Sequence, residues 1–320
     1  MKIAFVSENG FTGKVPEDFN NARTEFAWMH NLDAYHMPLK TALESPQRGF
    51  DLVVLIIPKK NGLFTFSFVE HLKTVGTEVA VMQEGSFWNF QDLGLSEQIW
   101  YSNEYALADY IFCHSESDAL YYRGIYDKPV MVLQTAMIDY TIKNFEPIQT
   151  TGYTTIIGGN FCSWYGGFDS FMVAQTFDLD IYAPAMGRKK DGEEQLVNIL
   201  PYMNWTDWMK ELSNHRYAVH LMRTFGAGTF AMNCSYFKIP CIGYKGLDTQ
   251  TILHPLLSVD IGDIVSAKKL AQRLKKDEQF YVECSNMTGE LFNKYYSKEA
   301  WLSNFNDSFE LITNHHINEN

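Results

Sequence analysis

The segment from Tyr217 to Tyr244 constrains the fold more than any other part of this 320-residue chain. A short apolar strand, Tyr217 to Met222, leads into a glycine-rich turn, and a helix-length run then ends at Phe237. A second apolar strand follows and ends near Tyr244. Two apolar strands around one helix predict a βαβ unit with buried, parallel strands.

The helix of this unit is preceded by glycines. Gly226, Gly228 and Thr229 lie between the first strand and the helix. A helix that begins at a turn without side chains presents unpaired backbone N–H groups and the positive end of its dipole. The pattern therefore indicates a phosphate-binding site. The alternative is an ordinary βαβ unit without a ligand, since glycine-opened helices are common in such folds.

Strands alternate with helices on both sides of a polar stretch at 143–153, which we interpret as a linker. The run 51–58, DLVVLIIP, is typical of a strand covered on both faces. The alternation predicts an α/β chain with two Rossmann-like doubly wound domains that face each other across a cleft. The predicted domains are residues 1–148, residues 149–298, and a final segment 299–320 whose helix packs back on the first domain.

Composition excludes several function classes. The net charge of −12 argues against a protein whose whole surface binds nucleic acid, although a local basic groove is still compatible with it. No apolar run reaches the roughly 18 residues of a membrane span, and the amino terminus leads directly into a strand. We therefore expect a cytoplasmic protein without membrane insertion. Five cysteines without CxxC spacing indicate neither a disulfide framework nor a zinc site.

Open α/β sheets bind ligands at the carboxyl ends of their strands. Three segments occur here in an order that resembles the donor domain of GT-B glycosyltransferases: TTIIGGNF, NILPYMNWTDWMKEL and HLMRTFGAGTFAMNCSYFKIPCIGY. The resemblance implies a nucleoside-diphosphate sugar as co-substrate, with UDP preferred by analogy. It places the donor in the second domain and the acceptor in the first.

Within that class the chain resembles the DNA β-glucosyltransferases of T-even phages, which modify hydroxymethylated cytosine in duplex DNA. The resemblance is carried by residues 157–161, residues 83–85 and residues 240–249. It makes duplex DNA a candidate acceptor and implies bacteriophage DNA modification. The chain departs from the family where arginines follow the Gly-Gly turn, and at Asn233, where the family has a glutamate that grips the ribose.

A leaving diphosphate gains negative charge, so an enzyme without a metal must meet it with cations and helix N-termini. Gly228 and Thr229 supply such a terminus. Arg223, at the end of its strand, is the first cationic candidate, because a charge directly after an apolar strand needs a partner. Arg188 and Lys189 are further candidates, with a solvated turn as the alternative reading.

Other donor contacts follow from the same resemblance. Gly159 and Asn160 end the first strand of the second domain, where small residues let the backbone approach a ligand. A plain turn is the alternative. Tyr202 is a candidate platform for the nucleobase. Asn233 is a candidate hydrogen-bond partner for the ribose, because an amide both donates and accepts.

An inverting transferase needs a base near the attacking hydroxyl group. Glu84 is our candidate, since it ends the strand EVAVMQ and has apolar neighbours that would raise its pKa. Asp92 is the second candidate. A turn cap is the alternative for Glu84, and a retaining enzyme needs no such base. His220, inside YAVHLM, is expected to be a core histidine with satisfied hydrogen bonds.

The acceptor side is predicted near the loop after the first strand. Lys14 lies in that loop, Arg23 in the helix predicted at 18–30, and Trp88 in an aromatic group suited to stacking. Core packing is the alternative for the aromatic residues. Asp178 and Asp180 precede their strand, so we read them as a polar turn and expect neither an essential metal nor another cofactor.

Two alternative functions share this architecture. One is a sugar-nucleotide epimerase, and the other is a non-catalytic two-lobed protein whose domains close on a small ligand.

Overall fold

The computed structural model describes residues 1–8, 10–16, 19–21, 23–44, 49–58, 65–143, 154–185 and 192–318. These residues form two compact units. The first contains Met1–Phe19, Arg23–Ile138 and the chain from Trp301 onward, and the second contains residues 20–22 with Asp139–Ala300. Among the described residues, no helix combines the length and apolar character that a membrane span requires.

The first unit is built on one seven-stranded sheet. Its strands are β1 (Ile3–Ser7), β2 (Gly13–Lys14), β3 (Tyr35–Pro38), β4 (Leu52–Ile57), β5 (Glu78–Gln83), β6 (Tyr110–Cys113) and β7 (Val130–Val132). They lie in the order β2-β3-β1-β4-β5-β6-β7, and every pair is parallel except β2 with β3. All six residues of β4 are buried, as expected for an apolar strand covered on both faces.

Five α-helices connect these strands: α1 (Thr24–Asn31), α2 (Leu39–Glu44), α3 (Thr65–Thr74), α4 (Leu95–Leu107) and α5 (Glu116–Ile125). A 3-10 helix, Phe87–Asp92, follows β5. The helix predicted at 18–30 begins only at Thr24. The side chain of Asn20 instead accepts hydrogen bonds from the backbone N and the hydroxyl of Thr206, at 2.7 and 3.1 Å, which holds this segment outside the helix.

The second unit contains six strands: β8 (Thr155–Ile157), β9 (Ile181–Pro184), β10 (Asn198–Leu200), β11 (Tyr217–His220), β12 (Cys241–Tyr244) and β13 (Ser258–Val259). They form one sheet in the order β10-β9-β8-β11-β12-β13, and all neighbours are parallel. Counted within the unit, this is the 3-2-1-4-5-6 order of a Rossmann sheet. The strand order reverses between β8 and β11, where ligands bind in such sheets.

Seven further α-helices lie in the described part of the chain: α6 (Gly167–Ala174), α7 (Trp205–Leu212), α8 (Thr229–Tyr236), α9 (Asp248–Leu253), α10 (Ile264–Lys276), α11 (Glu278–Tyr295) and α12 (Lys298–Asn318). Asn204, Asp263 and Asp277 cap α7, α10 and α11, because each side chain accepts a hydrogen bond from the backbone three residues later. Helix α12 begins in the second unit and continues into the first.

One backbone carbonyl of the first unit joins distant parts of the chain. The oxygen of Gln134 accepts hydrogen bonds from the indole nitrogens of Trp28 and Trp301, at 2.7 and 2.9 Å. Phe309 of α12 packs on Tyr110, with ring centroids 5.6 Å apart. The end of the chain is therefore part of the packing of the first unit.

A buried carboxyl group lies between α3 and α4. The side chain of Glu104 accepts a hydrogen bond from the Thr65 hydroxyl at 2.7 Å, and the residue is only 1% exposed. Its other carboxyl oxygen has no hydrogen-bond partner among the residues described. Burial raises the pKa of Glu104 to about 7, although the Thr65 bond lowers it.

We expect Glu104 to make the stability of the protein depend on pH. Because the pKa is higher in the folded state, the neutral carboxyl stabilises the fold at pH 4 and this contribution is lost as the pH rises through about 7. The loss amounts to about 3 to 4 kcal/mol, from about 1.4 kcal/mol per unit of the pKa difference. The free energy of unfolding of Glu104→Gln, measured by urea denaturation, should change less between pH 4 and 8 than that of the wild type. Glu70→Gln, at an exposed position of α3, should retain the wild-type profile.

Candidate donor site and acceptor-side carboxylates

The turns that follow β8 and β11 are held together at the point where the strand order reverses. The backbone N–H of Leu221 donates to the hydroxyl of Ser170 at 2.9 Å, and the hydroxyl of Thr224 donates to the carbonyl of Trp164 at 2.8 Å. Gly166 has a φ of +62°, and a Cβ there would lie 1.9 Å from the Leu221 oxygen. These contacts connect the turn after β11 with the turn and the helix that follow β8.

Gly228 directly precedes helix α8 and adopts the left-handed conformation, with a φ of +69°. A Cβ at this position would lie 2.1 Å from the hydroxyl oxygen of Thr249, which donates a 2.9 Å hydrogen bond to the Gly228 carbonyl. Only glycine fits without displacing that contact. Thr229 is the first residue of the helix, so its N–H group and those that follow point out of the helix start.

Arg223 lies after the end of β11, in the chain segment that leads to this helix. Its side chain is 56% exposed, and its guanidinium binds the carboxylate of Asp169 at 2.7 Å. The hydroxyl of Tyr244 donates to the same carboxylate oxygen at 3.0 Å. The hydrogen bond to Asp169 raises the pKa of Arg223, which therefore keeps its charge. The sequence interpretation missed both partners, which lie at a helix start and a strand end.

Gly159 and Asn160 lie in the turn after β8, as predicted from the sequence. A Cβ on Gly159 would lie 2.7 Å from the Cβ of Tyr165, so the turn is tightly packed. The buried amide of Asn160 donates to the Ala185 carbonyl at 3.2 Å and accepts from the Cys162 N–H at 3.1 Å. The amide thus links the turn to the end of β9, and its contact with a donor stays a prediction.

Asn233 is buried within α8. In the amide orientation that satisfies both groups, its oxygen accepts from the indole N–H of Trp208 at 3.2 Å and its nitrogen donates to the Thr229 carbonyl at 3.1 Å. Contact with a ribose would require these bonds to open.

Tyr202 follows β10 and is 87% exposed. The roles of Asn233 and Tyr202 stay predictions, and Arg188 and Lys189 lie outside the described residues.

His220, the last residue of β11, is in the core as expected but lacks the hydrogen bonds expected of it. Neither ring nitrogen has a hydrogen-bond partner among the described residues, and the residue is 4% exposed. Its ring meets the edge of Phe230 with centroids 5.1 Å apart. Burial lowers the pKa of His220 to about 4, so the imidazole is neutral near pH 7.

Glu84 lies at the carboxyl end of β5 in the first unit and is half-buried. A second carboxylate, Glu25, lies near it at the start of α1 and forms an ion pair with Arg23 at 2.6 Å. Burial raises the pKa of Glu25, Arg23 lowers it, and the charge of Glu84 raises it further. The sequence interpretation missed Glu25, because nothing in the residues near Arg23 indicates that α1 brings it towards Glu84.

The other acceptor-side candidates are spread along the first unit. Lys14 lies in β2 and forms an ion pair with Asp33. Trp88 is half-buried in the 3-10 helix after β5, and Asp92 is the exposed last residue of that helix. Their neighbour Phe87 stacks on Tyr121 with centroids 4.1 Å apart, which is the core packing given as the alternative for this aromatic group.

In the described part of the chain, no group of three or more histidine, cysteine, aspartate or glutamate side chains is arranged to hold a metal ion. Asp178 pairs with Lys275 and precedes β9. The expectation of a metal-independent protein stays a prediction.

No protein-family model matches the chain, and no curated protein matches it in sequence. Its fold is nevertheless that of the GT-B glycosyltransferases, which confirms the predicted fold class. The likeness covers almost the whole chain but carries little sequence identity, so it shows the fold alone.

Three solved structures illustrate this likeness. Sucrose-phosphate synthase from Thermosynechococcus elongatus is 11% identical, with a TM-score of 0.67 over 98% of this chain and 99% of its own. HepE from Anabaena, in complex with UDP-glucose, is 11% identical, with a TM-score of 0.66 over 98% and 100%. An alpha-glucosyltransferase in complex with UDP and a 13-mer DNA containing an HMU base is 12% identical, with a TM-score of 0.64 over 98% and 99%.

Proposed function

We propose that this chain is a glycosyltransferase that moves a sugar from a UDP-linked donor to a hydroxyl group of an acceptor, without a metal or another cofactor. The observation that carries the proposal is the glycine turn before α8, which follows β11 where the strand order reverses and which contains Gly228 in the left-handed conformation. Solved structures with this fold hold UDP or UDP-glucose, which supports a UDP-linked donor.

The proposed chemistry divides between the two units. In the second unit, the N–H groups at Thr229 and the Arg223 guanidinium stabilise the negative charge that the diphosphate gains as its bond to the sugar breaks. In the first unit, Glu84 accepts the proton of the acceptor hydroxyl while that oxygen bonds to the sugar carbon. Asp92 is the second candidate for this base.

Hydroxymethylated duplex DNA is one candidate acceptor, supported by the fold shared with an alpha-glucosyltransferase bound to DNA. Two features of this chain weigh against it. The net charge is −12, and the two acceptor-side cations, Lys14 and Arg23, are each paired with a carboxylate. Because DNA backbones are bound by Lys and Arg charges, an acceptor panel should include neutral hydroxyl compounds beside a hydroxymethylcytosine duplex.

The proposal is tested by incubating the protein with radiolabelled nucleotide sugars, with and without EDTA and with each acceptor in turn. Transfer to an acceptor or slow hydrolysis to free sugar, unaffected by EDTA, is the expected result. Interconversion of two nucleotide sugars would instead identify an epimerase. Binding without any turnover would identify a two-lobed receptor.

Arg223→Ala is expected to weaken UDP binding by about 1.5 to 3 kcal/mol, because the variant removes a charged partner of the diphosphate. Isothermal titration calorimetry measures this change directly. Arg123→Ala is a matched control, since Arg123 is 50% exposed and is likewise paired with a carboxylate, Glu116. Unchanged UDP affinity in Arg223→Ala would remove Arg223 from the donor site.

A further inference from the structure

His220 differs from the other buried histidines of the described chain. His36 lies 2.9 Å from the Ser7 hydroxyl, His215 lies 2.9 Å from the Thr154 hydroxyl, and His254 lies 3.0 Å from both the Ser235 hydroxyl and the Ala231 carbonyl. His220 has no such partner among the described residues. Of these four buried histidines, His220 is the one in which neither ring nitrogen has a partner among the described residues.

An unpaired imidazole is costly in a protein core. A neutral ring carries one N–H donor and one nitrogen acceptor, and each buried group without a partner costs about 1 to 3 kcal/mol. A phenylalanine would fill the same space without that cost, because the surroundings of His220 include Phe230 and the backbone of Gly158. The position is thus occupied by a polar ring where the fold alone favours an apolar one.

The position of the His220 ring suggests why an unpaired imidazole occurs here. His220 ends β11, whose pairing with β8 continues to the turn at Gly158. A Cβ on Gly158 would lie 2.5 Å from the ring, so the missing side chain leaves the space that the ring fills. On its other side the ring contacts Phe230, in the first turn of α8. The ring therefore lies between the turn at Gly158 and the first turn of α8, the helix whose start is proposed to hold the diphosphate.

We propose that His220 is a further donor ligand, whose ring N–H donates a hydrogen bond to the diphosphate of the bound nucleotide sugar. This inference rests on the proposed function, because it takes the start of α8 as the diphosphate site. The bond forms with a neutral imidazole, and no proton is transferred. Binding of the nucleotide then supplies a partner that the described residues do not provide.

The test uses His220→Phe, which keeps an aromatic ring and removes both nitrogens. We expect its melting temperature to equal or exceed that of the wild type, because two unpaired polar groups leave the core. We expect its dissociation constant for UDP, measured by calorimetry, to rise about tenfold or more. His71→Phe, on α3 of the first unit, is the control and should change neither quantity.

A second pair of variants separates hydrogen bonding from packing. His220→Gln keeps an N–H donor and should bind UDP more tightly than His220→Leu, which has none. Equal UDP affinities for these two variants, or wild-type affinity in His220→Phe, would overturn the inference and leave the proposed function intact. A wild-type protein that binds neither UDP nor UDP-glucose would instead overturn the proposed function itself, and this inference with it.

Discussion

Replacement of Glu84 with glutamine is expected to slow sugar transfer by a factor of about 10² to 10⁴, the range typical for loss of a general base. Glutamine has nearly the same shape but cannot accept the proton of the acceptor hydroxyl. Glu84 belongs to the first unit, whereas the proposed donor ligands belong to the second. The dissociation constant for UDP-glucose should therefore stay close to the wild-type value.

Single-turnover transfer rates and calorimetry measure the two quantities separately. Glu78→Gln is a matched control because Glu78 lies at the opposite end of β5, where its side chain accepts a hydrogen bond from Tyr110. Its transfer rate should resemble that of the wild type. If Glu84→Gln instead lost donor affinity, Glu84 would belong to the nucleotide site, and unimpaired transfer would direct attention to Asp92 or Glu25.

Gly228→Ala is expected to lower both the stability and the UDP affinity of the protein. An alanine at a φ of +69° costs about 1 to 2 kcal/mol, and its Cβ would displace the Thr249 hydroxyl from its bond to the Gly228 carbonyl. The total loss of stability should be about 2 to 3 kcal/mol. Because the first turn of α8 must shift, the UDP dissociation constant should rise by about tenfold or more.

Gly226→Ala is the control for this variant. Gly226 lies in the same turn, but a Cβ there would have no neighbour within 4 Å among the described residues. Urea denaturation and calorimetry should therefore find little change. If Gly226→Ala lost as much stability and UDP affinity as Gly228→Ala, the cause would be a general need for flexibility in the turn. The close contact between Gly228 and Thr249 would then not explain the effect.

The central βαβ unit could be predicted closely from the sequence. Strands predicted at 217–222 and up to Tyr244 correspond to β11 and β12, and the predicted helix corresponds to α8. The bounds of these elements could be predicted because continuous apolar runs, a glycine turn and Pro240 lie at or next to them in the sequence. The fold class followed from the same alternation of strands and helices.

Features that depend on distant contacts were not predictable. The start of α1 was misplaced because Asn20 bonds to Thr206, which is 186 residues away in the sequence. The loop predicted around Lys14 contains strand β2, which exists only through its pairing with β3. Local propensity carries no information about either partner.

The same limit applies to the candidate site. Arg223 was identified from its place after a strand, but its fixation by Asp169 and Tyr244 joins residues from three separate segments. His220 was predicted to be a hydrogen-bonded core residue, but neither ring nitrogen has a partner among the described residues. This could not be predicted, because the surroundings of the ring are set by the fold. Sequence patterns thus located the turns of the candidate site, and the structure added how their side chains are held.

The two indole bonds to Gln134 bear on the order in which the protein can fold during synthesis. Trp301 is synthesised long after Trp28 and leaves the ribosome later. Most of the second unit, Asp139–Ala300, is continuous in sequence and emerges before Trp301. A nascent chain can therefore complete most of the second unit first, while the core of the first unit is closed only when α12 has been made.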